Sequence, residues 1–245
     1  MGEIAYITES TVKYLIQSEV ESNPEHIHNQ IGFAQHLIDT GNIAYQVATK
    51  ILEKHPSLHH HIHPGIVRLA GYLHDFSKIY EGDFYHEIGT AHLIVQEGDK
   101  KLELITGGTL SERKELLKAT ASILPPDALL YEELGGNDYP QAAIHDCFPE
   151  FHERTEYLRR ALSQKGILTI EQLALPYTLD QQIGLYADFT NVNGKIISPE
   201  ERIKELEIRY NDPNSPYYNP FFNNLRRKAI PRILTVTKVI DTLLS

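Results

Sequence analysis

Between Phe33 and Leu52 the apolar residues Ile43, Ala44, Val47, Ala48, Ile51 and Leu52 recur at spacings of three and four. That period puts them on one face of an α-helix, whereas a strand would scatter them over both faces of a sheet. The same rhythm returns at Ile66, Leu69, Ala70 and Leu73, after a polar stretch around His55–Pro64. Further helices are expected near Glu87–Val95, Ser111–Leu124, Arg154–Gln164, Leu179–Phe189, Pro199 to about Tyr210, and Leu225–Leu244 with an interruption near Pro231. Punctuation supports these limits. Ser111 can cap its helix and Pro125-Pro126 stops it, while Gly166 closes another. Ser198, Pro199 and Glu201 make a capping box with proline at the first helical position. The segments 134–140 and 191–194 are turn-rich, and 211–222 is irregular. Alternating strand patterns are scarce. The expected fold is all-α and a single domain over 1–245, with a core at about 30–210 and a C-terminal helical extension at 211–245.

Composition narrows the function classes. The chain has 245 residues, 41% of them hydrophobic, which suffices for a real core. A formal net charge of −10 argues against non-specific nucleic-acid binding, which selects basic faces. The single cysteine, Cys147, allows no intrachain disulfide and no cysteine-rich zinc site, and it points to a reducing compartment. No apolar run near the N-terminus suits a signal peptide, and none approaches the ~20 residues of a membrane span. The expectation is a soluble, cytoplasmic protein without nucleic-acid or membrane partners. Oligomeric state is left open.

Chemistry concentrates in "GYLHDFSK", Gly71 to Lys78. His74 and Asp75 end an apolar helix, where burying an imidazole and a carboxylate is costly unless a cation neutralises them. The dipeptide alone says little, since His145-Asp146 repeats it in a turn region and reads as structural. Lys78 follows His74 by four residues, on its face if the helix continues. His36 shares the stripe of Ile43 and Val47; it is either a core histidine bonded to a carbonyl or a ligand. Asp188 shares a helical face with Gly184, and is either a helix-end residue bonded to the next turn or a ligand.

This ordered set resembles the HD-domain metal-dependent phosphohydrolases. The resemblance rests on His36 in "QHLIDTGNIAYQVA", His74 and Asp75 in "LAGYLHDFSK", and Asp188 in "YADF". Ala44 and Ala48 match the family's first-helix packing, "HEIGTAHLI" is similar to its H-x-x-G-A helix, and "NGKIISPEERIKELEIRY" is similar to its tails. About residues 30 to 210 are covered. The resemblance implies an HD-like helical bundle holding one divalent ion (Mn, Fe, Co, Ni, Zn or Mg) through His36, His74, Asp75 and Asp188. It implies metal-activated water cleaving a phosphate ester or anhydride of a small metabolite, nucleotides included. Lys78 would steady phosphate charge, Asp75 would join the catalytic set, and His86 would be a proton-transfer group or a ligand to a second metal. Two-metal members carry a further histidine on the next helix, and Ser111–Leu124 has none, so one metal is expected. The alternatives are a non-catalytic HD-fold module that binds a nucleotide or partner, and an HD-type di-iron oxygenase, which needs both metals.

Three features have plainer readings. "LHHHIHPG", Leu58 to Gly65, joins the helices of His36 and His74 at the end away from the proposed ion, and reads as a solvated loop whose histidines lack oriented partners. Leu225–Lys228 reads as a solvated basic helix face. Asp83 reads as a surface carboxylate, and the tyrosines near "SPYYNPFF" as packing for an irregular tail.

Overall fold

The computed structural model describes residues 32–75, 178–218 and 220–245, with Tyr14, Ser18, Glu21 and Ser22 near the N-terminus. The helices expected at 87–95, 111–124 and 154–164 lie outside the described residues, as do Lys78, Asp83, His86, His145, Asp146 and Cys147. The described residues are mostly helical, in keeping with the all-α expectation.

Helix α1 spans Phe33–Lys54 and begins after Gly32, whose φ of 61° is left-handed. Its apolar stripe is buried, with Leu37, Ala44, Ala48 and Ile51 fully so. The chain then makes a 3-10 turn, Pro56–His60, and enters α2, Pro64–Leu73, with proline in its first turn. Helices α1 and α2 form an antiparallel pair. They cross at Gly41 and Gly71, where a Cβ on Gly71 would stand 2.6 Å from the Gly41 Cα, and one on Gly41 would stand 2.6 Å from the Arg68 carbonyl oxygen. Side chains beside the crossing lock it. Asn42 Oδ1 accepts from Arg68 Nη2 at 2.8 Å and from the Tyr72 hydroxyl at 2.9 Å.

Helix α3, Leu179–Thr190, opens with a complete capping box between Thr178 and Gln181. It leads into a small antiparallel hairpin, β1 (Asn191–Val192) and β2 (Lys195–Ile196), with Asn191 opposite Ile196. Asn193 and Gly194 turn it with φ of 51° and 76°, the backbone an Asn-Gly two-residue turn supplies. The turn-rich segment of the sequence is therefore the tip of a hairpin. Helix α4, Pro199–Asn211, carries the expected box, with Ser198 and Glu201 bonded reciprocally. The irregular connection is shorter than 211–222, since α4 includes Asn211 and α5 begins at Pro220.

Helix α5 runs unbroken from Pro220 to Leu244 with Pro231 inside it. The expected interruption is absent for an energetic reason. An interior proline costs ~3 kcal/mol, but Ile233, Val236 and Ile240 beyond it are all buried. At ~1.5–3 kcal/mol for each large apolar side chain, their burial outweighs the proline. Ile240 joins Val47, Ile51, Val67, Ile183 and Ala187 in one apolar cluster, while Phe189, Leu206, Tyr210 and Ile233 form a second. In the basic segment at 225–228, Arg227 is exposed and pairs with Glu207 of α4, with Nε at 2.6 Å and Nη2 at 2.5 Å. Tyr186 on α3 donates to Asp241 on α5 at 2.9 Å. Burial and that carboxylate push its phenol up to about 12. None of the described helices is long and apolar enough to cross a membrane.

The histidine segment departs from a plain solvated loop. His59, His60 and His61 are exposed, but Ile62 is buried. His55 Nε2 lies 3.1 Å from the Leu243 carbonyl, and Lys54 Nζ donates to the Leu244 carbonyl at 2.5 Å. His63 is held twice by Asp180, backbone N–H to Oδ1 and Nδ1 to Oδ2, each at 2.8 Å. The segment is a strap pinned at both ends.

Because Gly41 and Gly71 meet backbone to backbone, a methyl at either must push the helices apart. Gly71→Ala and Gly41→Ala are each expected to cost ~1–3 kcal/mol, the range for overpacking. Urea unfolding of the full chain measures it; a stable Gly71→Ala protein with an unchanged midpoint excludes this crossing.

Candidate metal centre

The crossing decides where the ends of α1 and α2 go. His36 lies five residues before Gly41 and His74 three after Gly71, so both stand on the same side of the contact, ~7.5 and ~4.5 Å along their helices. Asp75 follows α2 and is 3% exposed. Asp188, in the last turn of α3, arrives from the third side. The expected four residues, scattered over more than 150 positions of the chain, do converge.

Their imidazole nitrogens and carboxylate oxygens alternate. His36 Nε2 lies 3.3 Å from Asp188 Oδ1 and 3.7 Å from Asp75 Oδ2. His74 Nε2 lies 3.2 Å from Asp188 Oδ1 and 3.4 Å from Asp75 Oδ2. The two rings meet edge to face with centroids 5.3 Å apart. Atoms of His36, His74 and Asp75 all lie within 4.8 Å of one another, forming a triad that could hold a metal ion. Donors ~2.1 Å from a shared ion stand ~3.0 Å apart in octahedral and ~3.4 Å in tetrahedral coordination. Three of the four observed spacings fall in that range, and His36–Asp75, at 3.7 Å, lies just beyond it.

Local hydrogen bonds orient the rings. His74 Nδ1 donates to the Gly71 carbonyl at 2.8 Å, which leaves Nε2 as the atom aimed at the carboxylates. That Nε2 is buried and makes no hydrogen bond. A ligating imidazole is commonly fixed this way, its other nitrogen tied to a carbonyl. Electrostatics oppose burial here. Burial pushes the His74 pKa down, but the charges of Asp75 and Asp188 outweigh it and hold it well above the ordinary value. Burial likewise favours the neutral form of Asp188, yet His74 and His36 hold its carboxyl well below the ordinary range. The shifts of His74 and Asp188 thus both favour their charged forms. The side chains of His36 and Asp188 are 29% and 35% exposed, against 15% and 5% for His74 and Asp75. His36 and Asp188 are thus the more exposed edge of the cluster.

The structure adds residues that the sequence reading passed over. Asn191 is buried, and its Nδ2 donates to Thr40 Oγ1 at 2.9 Å while lying 3.4 Å from both the carbonyl and Nδ1 of His36. Its only sequence signal was a place in the "NVNG" turn, which speaks of backbone shape and not of a partner on α1. Gly41 and Gly71 were equally silent, since a glycine inside a helix does not reveal what crosses it. Lys78 and His86, read as phosphate and proton-transfer groups, fall outside the described residues.

No protein-family model matches the chain, and no curated protein or solved structure matches it.

The two shifted groups set a pH dependence with opposite signs. His74, raised in the folded state, contributes stability that is present below its ordinary 6.5 and is lost as pH climbs through the folded value. Asp188, lowered, contributes stability present above its ordinary 3.8 and lost as pH falls through the folded value. Metal-free protein is therefore expected to be most stable between about pH 4 and 6.5 as far as these groups decide it. Its melting temperature should fall on the alkaline side. Saturating Zn²⁺ or Mn²⁺ should remove that alkaline fall, because the ion takes the proton's place. Thermal melts from pH 4 to 9 with and without metal test this; parallel curves would sink it.

Proposed function

We propose that His36, His74, Asp75 and Asp188 bind one divalent cation, and that this centre hydrolyses a phosphate ester or anhydride of a small phosphorylated metabolite, nucleotides included. The observation that supports it most is the alternating ring of two imidazole nitrogens and two carboxylate oxygens spaced 3.2–3.7 Å, with a buried Nε2 that has no hydrogen bond. Burying two carboxylates beside neutral imidazoles leaves two uncompensated negative charges, and a divalent ion cancels them. Nitrogen and oxygen donors in equal number suit Mn²⁺, Fe²⁺, Co²⁺, Ni²⁺ or Zn²⁺. The helical arrangement is consistent with an HD-like bundle, and the order His, His-Asp, Asp along the chain is that of the HD phosphohydrolases.

In this reading each residue has a defined task. The Gly71 carbonyl holds His74 with its Nε2 turned inward. Asp75, the most buried, supplies fixed negative charge at the floor. His36 and Asp188 line the more exposed edge, where a phosphate could approach. Lys78 steadies the phosphate's charge, as a cation should in phosphoryl transfer, and His86 is the proton-transfer group. The chemistry an ion supplies in such a pocket is Lewis acidity, which polarises a phosphoryl oxygen and makes water acidic.

Elemental analysis of protein purified without added metal is expected to give about one divalent ion per chain. A panel of phosphomonoesters and nucleotides then gives the activity. His74→Ala/Asp75→Ala should lose the ion and drop kcat/KM by ~10³-fold or more, since several kcal/mol of transition-state stabilisation is at stake. A double variant that hydrolyses as fast as wild type would falsify the proposal. Metal bound without hydrolysis across the panel would favour a non-catalytic binding module.

A further inference from the structure

Asn191 joins the two helices that carry the ligands on the cluster's more exposed edge. It follows Asp188 by three residues and caps α3, its backbone N–H bonding to the carbonyls of Ala187 and Asp188. Its side chain points the other way, into α1. Nδ2 donates to Thr40 Oγ1 at 2.9 Å and to the His36 carbonyl at 3.4 Å, and the His36 ring lies against it, with Nδ1 3.4 Å away. Oδ1 accepts from the Gly194 N–H at 2.9 Å, which ties the hairpin tip to the same point. Asn191 is 2% exposed and Thr40 fully buried.

A buried amide costs free energy unless its donors and acceptor are all used. Here they are used, and on partners that all belong to the site's frame: α3 through Asp188, α1 through Thr40 and His36, and the hairpin through Gly194. An apolar residue could fill this space but could not fix how far α3 stands from α1. Among the described residues His36 has no equivalent of the short bond that orients His74. Its distance to Asp188 Oδ1 therefore depends on the spacing of α1 and α3, which the Asn191 amide spans through Thr40 and the His36 carbonyl.

From these contacts we propose that Asn191 is a positioning residue of the metal centre, setting His36 against Asp188 by bridging their helices; this rests on the reading of the four residues as a metal site. Groups that orient a metal's ligands typically account for 10–100-fold in metal affinity. The role follows from the bridge and needs no charge on Asn191 itself.

Co²⁺ titration of the full chain, with its visible spectrum, tests the inference. Asn191→Ala is expected to bind Co²⁺ ~10–100-fold more weakly and to shift the ligand-field bands. Ser198→Ala, which removes the cap of α4 away from the centre, should lower the melting temperature while leaving affinity and bands as in wild type. If Asn191→Ala keeps wild-type affinity and spectrum, the inference is wrong. It is equally wrong if Ser198→Ala weakens Co²⁺ as much at equal loss of stability. Should Asn191→Ala not fold, Thr40→Val carries the test, removing the acceptor of the 2.9 Å bond with little change in shape. A second readout needs no metal: long-range ¹H–¹⁵N spectra of the His36 ring should change in either variant, and unchanged signals overturn the role. If wild type takes up no Co²⁺, the metal reading fails, and the ring signals still decide whether Asn191 positions His36.

Discussion

Contact between the backbones of Gly41 and Gly71 is the constraint on which the rest depends. Most helix pairs are kept 8–10 Å apart by their side chains. Here a Cβ on Gly71 would stand 2.6 Å from the Gly41 Cα, so α1 and α2 meet with no room for a side chain between them. Two consequences follow. The apolar stripe of α1 is left partly free to take α3 and α5, which is why Ile183, Ala187 and Ile240 share a cluster with Val47 and Ile51. The polar ends past the crossing are also forced together. His36 and His74 are each about one turn from the contact, so a wider crossing would splay their rings beyond the 5.3 Å centroid separation observed.

Bringing those ends together creates an electrostatic problem that the fold does not solve alone. Two carboxylates and two imidazoles face one another in a largely buried space. With both rings neutral the cluster carries a charge of minus two. Protons answer part of this, which is what the raised His74 and lowered Asp188 express. A proton on imidazole, however, uses the same lone pair that an ion would. The two states compete for Nε2, and pH decides between them in a metal-free solution. A group of this kind is costly as a structural staple, since well-packed apolar residues fill such a space at least as favourably. Its retention makes chemical sense if the charge is there to be met by a ligand.

Much of this was legible in the sequence, and the parts that were not share a cause. Helices α1 and α3 and the capping box at Ser198 could be read because spacing and caps are local signals. That His36, His74, Asp75 and Asp188 belong together could be read from residue type, place on helices and family resemblance. What stayed hidden was whatever depends on a partner far along the chain. Pro231 reads locally as a break, but Ile233, Val236 and Ile240 are buried beyond it and the helix continues. Asn191 reads as a turn residue, yet its amide spans 151 positions to reach Thr40. Gly41 and Gly71 read as weak points of helices, whereas together they are the crossing.

The histidine-rich segment shows the same limit from the other side. Its density of imidazoles is the strongest local hint of metal in the chain, but local density is not preorganisation. Among the described residues the only group close enough to share an ion is His36, His74 and Asp75. The reading of the loop as solvated was also incomplete. His63 has an oriented partner in Asp180, through two bonds of 2.8 Å, and His55 reaches the end of α5. Asp180 sits in the first turn of α3, where a carboxylate also meets the unpaired N–H groups and positive end of the helix. The strap thereby fixes the start of the helix whose last turn presents Asp188.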